Sequence, residues 1–414
     1  VMGSGGFFGF FLDLFFLVPI LLAVRAAFPH PVVFRVASTL AGLYLIYAQA
    51  PRFLPFFIAY WVAVWLLQHL AAQAERRPSN ANLALAVVVV VPLAPMVAWK
   101  LAPAHFVPSL NEFAAKVLWA AAPGFGFADA LVGIVVPLGL SFATFRALDL
   151  LLKIYLGLLP PLSFDRVLYY GFFPPILALG PIAEYEEVRA DKPSSRWPKA
   201  GDVAVGIFRV MLGIVKIFAV GMLLERGAAV MWRGGDASVW ASWGALLLYG
   251  LFFYANFSGY SDVAIGAARI LGLKLKENFA NPFLKTNPQA FWNAWHMSLT
   301  RWTQRYVFVP LGGMRPGRHY AAAFASIMVI ALWHGLALPM VVFGIFHGTI
   351  AVAHRWLTER RRRAGKKPGP EPWYGHALKS ALVFSYVSLS LPLLVLDSGQ
   401  ALALYGRLFL GTPM

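Results

Sequence analysis

Apolar residues in this chain come in long blocks, with neither the alternation of a half-buried strand nor the one-sided stripe of a soluble helix. The blocks cover residues 7–26, 33–50, 53–72, 82–100, 129–157, 165–183, 203–225, 239–257, 320–337, 339–356, 376–396 and 400–411. A helix rises 1.5 Å per residue, so about 20 apolar residues carry it through the hydrocarbon of a bilayer. The pattern predicts an all-α polytopic membrane protein with about ten or eleven transmembrane helices, plus re-entrant and interfacial helices around a central tunnel or cavity. The other blocks are too short or too interrupted to cross. Pro174-Pro175 and Gly180-Pro181 break the block at 165–183, and broken backbone survives at membrane depth only inside protein or beside a water-filled cavity. A site is expected near the break.

Three stretches between the blocks are polar. Residues 184–202 carry Glu184, Glu186, Glu187, Arg189, Asp191 and Lys192 among prolines and read as a solvated loop. Residues 272–290, with Lys274, Lys276, Glu277, Lys285, Pro282 and Pro288, read as irregular backbone or a surface helix. Residues 291–310 mix Trp292, Trp295 and Trp302 with His296, Arg301 and Arg305, as expected at an interface or beneath a polar cavity.

Composition narrows the function. Hydrophobic residues make up 59% of the chain and charged residues 13%, a balance that a water-soluble fold of this length cannot bury. The net charge of +17 would suggest nucleic acid in a soluble protein, but the basic residues lie mostly between the apolar blocks, as the positive-inside rule requires. No nucleic-acid partner is expected. Glu75-Arg76-Arg77 and the run Arg355–Lys367 read as cytoplasmic loops, which places the N-terminus outside. Without cysteine there is no disulfide, thiolate nucleophile or cysteine-ligated metal, and no metal site is expected. Val1–Gly6 show no signal-peptide pattern, so no removable leader is expected.

Ionisable groups inside apolar blocks should pair or work. Arg146, Asp149 and Lys153 lie three and four residues apart and can neutralise one another on one helix. Arg209 and Lys216 call for a loop carboxylate or an anionic ligand. Of nine histidines, His30, His105, His319 and His376 flank blocks. His69, His347 and His354 lie near expected helix ends, where a bond to backbone or water is the natural role. His334, deep in an apolar hairpin, and His296, in Trp295-His296-Met297-Ser298-Leu299, can each serve as a general base or as a satisfied core residue. Their spacing of 38 residues fixes no metal geometry.

The run Tyr254-Ala255-Asn256-Phe257-Ser258-Gly259-Tyr260-Ser261-Asp262 is followed by Glu277-Asn278-Phe279, Asn281-Pro282-Phe283, Phe291-Trp292, the His296 string, Pro310-Leu311-Gly312-Gly313 and Leu332-Trp333-His334-Gly335. In order and spacing this resembles the membrane-bound O-acyltransferase family, in its bacterial branch of alginate O-acetyltransferase and teichoic-acid D-alanylation membrane proteins. Pro137-Leu138-Gly139-Leu140-Ser141-Phe142 and Phe172-Phe173-Pro174 match upstream. The resemblance implies one integral membrane acyltransferase domain over 1–414: N-terminal helices at 1–128, a motif-bearing core at 130–350, a basic cytoplasmic loop at 355–370 and C-terminal helices at 376–414.

What the resemblance implies for chemistry is transfer of an acyl group, acetyl first, from a cytoplasmic thioester to a hydroxyl of an extracytoplasmic polysaccharide or other cell-envelope acceptor. The donor would be acyl-CoA or an acyl carrier protein, with no bound cofactor, in the bacterial cytoplasmic (inner) membrane. The acceptor would be reached directly or through a separate extracytoplasmic partner protein. His334 and His296 become the catalytic residues, His334 as a buried neutral base and His296 orienting a substrate. Trp295 and Trp333 would exclude water, and Ser298, Asn256, Ser258, Tyr260, Asp262 and Asn278 would line the site. The chain departs from its relatives at Glu184, at Asn293-Ala294 and at Gln304-Arg305, so acceptor, donor or partner can differ. A covalent relay through Ser258 or Tyr260 lacks a nucleophile elbow. A transporter or flippase would show two related halves, and the sequence has none.

The basic run and the absence of cysteine make the orientation directly testable. A lone cysteine placed by Gly365→Cys should be shielded from an impermeant thiol reagent in intact cells and react after permeabilisation. Labelling in intact cells would reverse the assigned topology.

Overall fold

The computed structural model describes residues 4–74, 78–101, 128–178, 180–190, 197–232, 238–365, 372–396 and 398–411, and every regular element among them is helical. In chain order these are α1 (Ser4–Ala27), α2 (Pro31–Gln49), α3 (Leu54–Ala74), α4 (Ala81–Leu101), α5 (Ala128–Tyr155), α6 (Phe164–Phe172) and α7 (Tyr185–Val188). They continue with α8 (Ala200–Ile214), which runs through a π-turn (Val215–Gly221) into α9 (Met222–Trp232), then α10 (Val239–Ile270), α11 (Pro288–Ala294) and α12 (Met297–Thr303). The chain closes with α13 (His319–His334), α14 (Leu338–Arg363), α15 (Trp373–Val395) and α16 (Ser398–Leu410). Seven helices among the described residues are long and apolar enough to cross a bilayer, so the protein is a polytopic, all-helical membrane protein. α13 and α16, at 16 and 13 residues, are shorter than an upright crossing needs.

The described residues form two compact units, residues 1–210 with 263–276, and 211–262 with 277–414. In the first unit, close backbone approach needs glycine at defined points: a Cβ on Gly42 would strike the Phe172 carbonyl, and one on Gly171 the Trp61 ring. Membrane helices associate by such small-residue contacts, because lipid supplies no hydrophobic drive between them. Gln68, fully buried, uses both ends of its amide on Leu162, donating to its carbonyl and accepting from its N–H at 2.8 Å each. The expected break is present: α6 ends at Phe172, a 3₁₀ turn spans Pro174–Ile176, and Gly180 takes φ 122°. Protein buries these residues, as the break requires, but none of them lines the cavity described below.

Residues 184–188 are not the solvated loop that their acids suggested. Glu184 and Glu187 form a capping box on α7, while Tyr185 and Val188 are buried. The acids are counter-ions. Lys153 Nζ stands 3.1 Å from Asp149, 2.7 Å from Glu184 and 2.8 Å from Glu186, in a place where three carboxylates alone would hold a metal. Lys276 joins the network through Glu184 at 2.9 Å. Arg146 turns elsewhere, donating to the carbonyls of Tyr170 and Gly171 at 2.7 and 3.3 Å with its guanidinium over Trp61. Asp191 and Lys192 lie outside the described residues.

In the second unit, a Cβ on Gly259 would lie 2.9 Å from the Gly213 carbonyl, so α10 and the end of α8 touch backbone to backbone. Lys216 pairs with Asp262 at 2.6 Å, so its counter-ion lies on a helix and not on a loop or ligand. α13 and α14 form an antiparallel hairpin, closed at one end by Glu359, which accepts from Tyr320 at 2.7 Å and pairs with His319 at 3.0 Å. The basic run is also not a loop up to Arg363: α14 continues through it, since arginine favours helix and positive charge suits a helix C-terminus. Lys366, Lys367 and the Glu75-Arg76-Arg77 loop lie outside the described residues.

Lys153 makes the first unit's ionic network testable. Lys153→Met would take from the buried Asp149 the ammonium it shares with Glu184 and Glu186, a loss of about 3–5 kcal/mol, whereas Lys276→Met at the half-exposed edge should cost under about 1 kcal/mol. Thermal unfolding of the purified variants compares the two, and equal melting would refute the account.

Candidate active site

The segment from Glu277 to Thr303 is folded around one buried side chain. Its backbone passes through the left-handed region at two non-glycine residues, Asn281 (φ 50°) and His296 (φ 43°). Such a conformation costs roughly 1–2 kcal/mol at each residue and persists only where surroundings impose it. At His296 the surroundings are Asn278, which is fully buried. Its carbonyl accepts from Met297 N at 2.8 Å, and its Oδ1 accepts from Ser298 N at 3.1 Å and Ser298 Oγ at 2.8 Å. Its Nδ2 donates to Ser261 Oγ on α10 at 3.0 Å. Asn287 caps α11 through Ala290 N at 2.9 Å, and α11 stops at Ala294, two residues before His296.

These bonds assign the His296 proton. Ser298 N–H can only donate, so the atom facing it is the Asn278 oxygen. His296 Nδ1 lies 3.2 Å from that same oxygen and must therefore carry the hydrogen, leaving the lone pair on Nε2. Burial, together with the nearby charges of His334 and Arg301, holds this imidazole well below its ordinary pKa, so it stays neutral at working pH. Phe257 meets the ring edge-on at 4.8 Å and Trp333 at 6.0 Å.

A cavity of ≈ 40 Å³ opens beside His296 within the second unit. Phe253 and Phe257 of α10, Trp292 and Trp295, Phe343 of α14 and Leu391 of α15 contribute its apolar walls. Three histidines line it: His296, His334 and His347. His334 was expected deep in an apolar hairpin, but it is the last residue of α13 and its side chain is exposed, at the end of a helix that stops at Gly335. His347 was assigned to a helix end and is instead in mid-helix, fully buried, with its Nδ1 hydrogen-bonded to the Tyr386 hydroxyl. The visible signal for it was the face Phe343, Gly344, His347, Gly348, where two glycines admit a close neighbour: Cβ atoms there would meet Met328 and Phe324 of α13.

Of the other expected site residues, Trp295 lines the cavity and stacks with Phe291 at 5.5 Å. Trp333 is buried against His296, and Ser298 and Asn278 hold the His296 turn. Asn256, Ser258, Tyr260 and Asp262 do not line it. Phe253 and Phe257, four residues apart, take the cavity face of α10; Ser258 bonds its own helix at 3.5 Å and Asn256 does so at 3.3 Å. Asp262 is held by Lys216, and Tyr260 is buried nearly two turns beyond Phe253.

A sequence model of the MBOAT, membrane-bound O-acyltransferase family matches residues 43–396. A teichoic acid D-alanyltransferase of Streptococcus thermophilus is 29% identical over 277 residues, which cover 61% of this chain and 66% of that protein. A probable alginate O-acetylase of Pseudomonas aeruginosa is 30% identical over 231 residues, 55% of this chain and 44% of its own. A peptidoglycan O-acetyltransferase of Helicobacter pylori is 28% identical, over 56% of this chain and 49% of its own. The matches thus span from under half to about two thirds of these curated relatives.

Asn278 gives the site its own test. Asn278→Leu removes the acceptor of three donors, each costing about 1–3 kcal/mol when left buried and unmade, whereas Ser298→Ala removes one donor and should cost about 1 kcal/mol. Melting temperatures that fail to separate the two variants would contradict this arrangement.

Proposed function

This chain belongs to the membrane-bound O-acyltransferase family, and on that premise we propose that it moves an acyl group from a cytoplasmic thioester to a hydroxyl of an extracytoplasmic polysaccharide or other cell-envelope polymer. The observation that carries the reading is the three-histidine cavity, with His296 locked in one tautomer by Asn278. The setting is the bacterial cytoplasmic membrane, and the donor is acyl-CoA or an acyl carrier protein. The exposed arginines Arg360–Arg363 suit phosphates or an acidic carrier. Acetyl is the acyl group proposed, ahead of D-alanyl, and the lining of the cavity supports that choice. Its wall is apolar and no acidic side chain lines it, so a D-alanyl ammonium would be desolvated without a counter-ion.

Transfer needs a base for the hydroxyl proton and exclusion of competing water. The two histidines divide the first task by their surroundings. His334, which no other part of the described protein covers at the helix end, can take the proton and pass it on. Buried His296, held neutral, is the poorer base and the better fixed acceptor, so its Nε2 lone pair orients the hydroxyl. As His334 removes the proton, the oxygen bonds to the thioester carbon. The tetrahedral adduct then collapses, the C–S bond breaks, and the departing thiolate takes the proton back from His334. Trp295 and Trp333 keep water from the acyl carbon.

His334→Ala should lower transfer by about 10²–10⁴-fold in a protein that melts like the parent, since only the base is lost. His296→Ala should lose less in rate and part of its loss as raised KM. A well-folded His334→Ala that keeps more than about a tenth of parental rate would remove His334 from the base role.

A further inference from the structure

The scheme above, on whose acyl-transfer reading this inference rests, employs two of the three cavity histidines. His347 is fully buried in the wall, and its Nδ1 is bonded to the Tyr386 hydroxyl. A phenol is a stronger hydrogen-bond donor than a neutral imidazole N–H, and an imidazole nitrogen is the stronger acceptor. Tyr386 therefore donates, and His347 carries its proton on Nε2. That N–H finds no acceptor among the described residues. The indole of Trp292, whose ring stands edge-on to His347 at 5.1 Å between centroids, turns its N–H toward the Tyr386 hydroxyl, which can accept there while it donates to His347. His347 and Trp292 both line the cavity. Buried donors without acceptors are rare in folded proteins, and one in the wall of a small cavity marks the place of an incoming acceptor.

The cavity is thus polarised. His296 offers a lone pair, which suits an alcohol, while His347 offers a hydrogen, which suits an oxygen that cannot donate. In acyl transfer that oxygen is the thioester carbonyl. We propose that His347 Nε2–H binds the acyl carbonyl oxygen and stabilises the oxyanion, and that Tyr386 is the positioning residue that holds the proton on Nε2. As the acceptor oxygen bonds to the carbonyl carbon, the C=O electron pair moves onto the oxygen held by His347 Nε2–H. It returns when the C–S bond breaks, and the thiolate leaves with the proton that His334 took from the alcohol.

The test uses the purified full chain, acetyl-coenzyme A and a polysaccharide hydroxyl acceptor, with kcat and KM measured separately. His347→Phe keeps a ring and removes the N–H, so kcat should fall about 10²–10³-fold with KM changed by less than about threefold. His347→Gln supplies an amide N–H and should recover about tenfold or more over the phenylalanine variant. Tyr386→Phe, which frees the tautomer, should lose about tenfold in kcat. A folded His347→Phe within about threefold of parental kcat, or a His347→Gln no better than it, overturns the assignment. Should His347→Phe fail to fold, an unchanged kcat in Tyr386→Phe overturns it. An inactive parent counts against the acyl-transfer reading itself, whereas an active parent with unmoved variants counts only against the donor role.

Discussion

Much of the site hangs on one carboxamide. Asn278 Oδ1 takes hydrogens from a backbone amide, a hydroxyl and an imidazole within 3.2 Å, and the rest of the amide ties this knot to α10 through Ser261. Without it, the left-handed turn at His296 has no local reason to exist, α12 loses the start of its first turn, and the imidazole is free to reverse its tautomer. The oxygen therefore does structural and electronic work at once. It stores the strain of an unfavourable backbone angle and sets which imidazole nitrogen carries the lone pair.

The fold was legible because lipid permits few solutions. Twelve apolar blocks and their breaks emerge as helices or interrupted helices near the places that hydropathy indicated. What escaped were side chains whose roles depend on partners far away in sequence. Glu184 and Glu186 look solvated beside their prolines, yet Lys153, some thirty residues earlier, makes them counter-ions. Arg355–Arg363 look like a loop by charge, yet helix propensity carries α14 through them.

The candidate site was legible in part and for a different reason. His296, His334, Trp295 and Asn278 stand in strings whose order resembles a family, which identifies residues but says nothing of burial. His334 accordingly emerged exposed, and His347, outside any such string, emerged buried at the cavity. Ser258, Asn256, Tyr260 and Asp262 share a string with the cavity-facing Phe257, but a helix sends its neighbours to different sides. A linear motif marks a stretch of helix, and geometry chooses among its residues.

On the proposed acyl transfer, the continuity of α14 has a consequence for the shape of the donor. Thirteen residues separate His347 from Arg360 on one uninterrupted helix, and at 1.5 Å per residue they span about 20 Å. The same rod that walls the cavity thus ends in the basic turn suited to anionic phosphates, acting as a ruler between the two. A donor gripped by its phosphates at that turn cannot bring a thioester to the histidines unless the two are joined by a slender chain of comparable reach. Compact acyl phosphates fail this requirement, and thioesters carried on long flexible arms meet it.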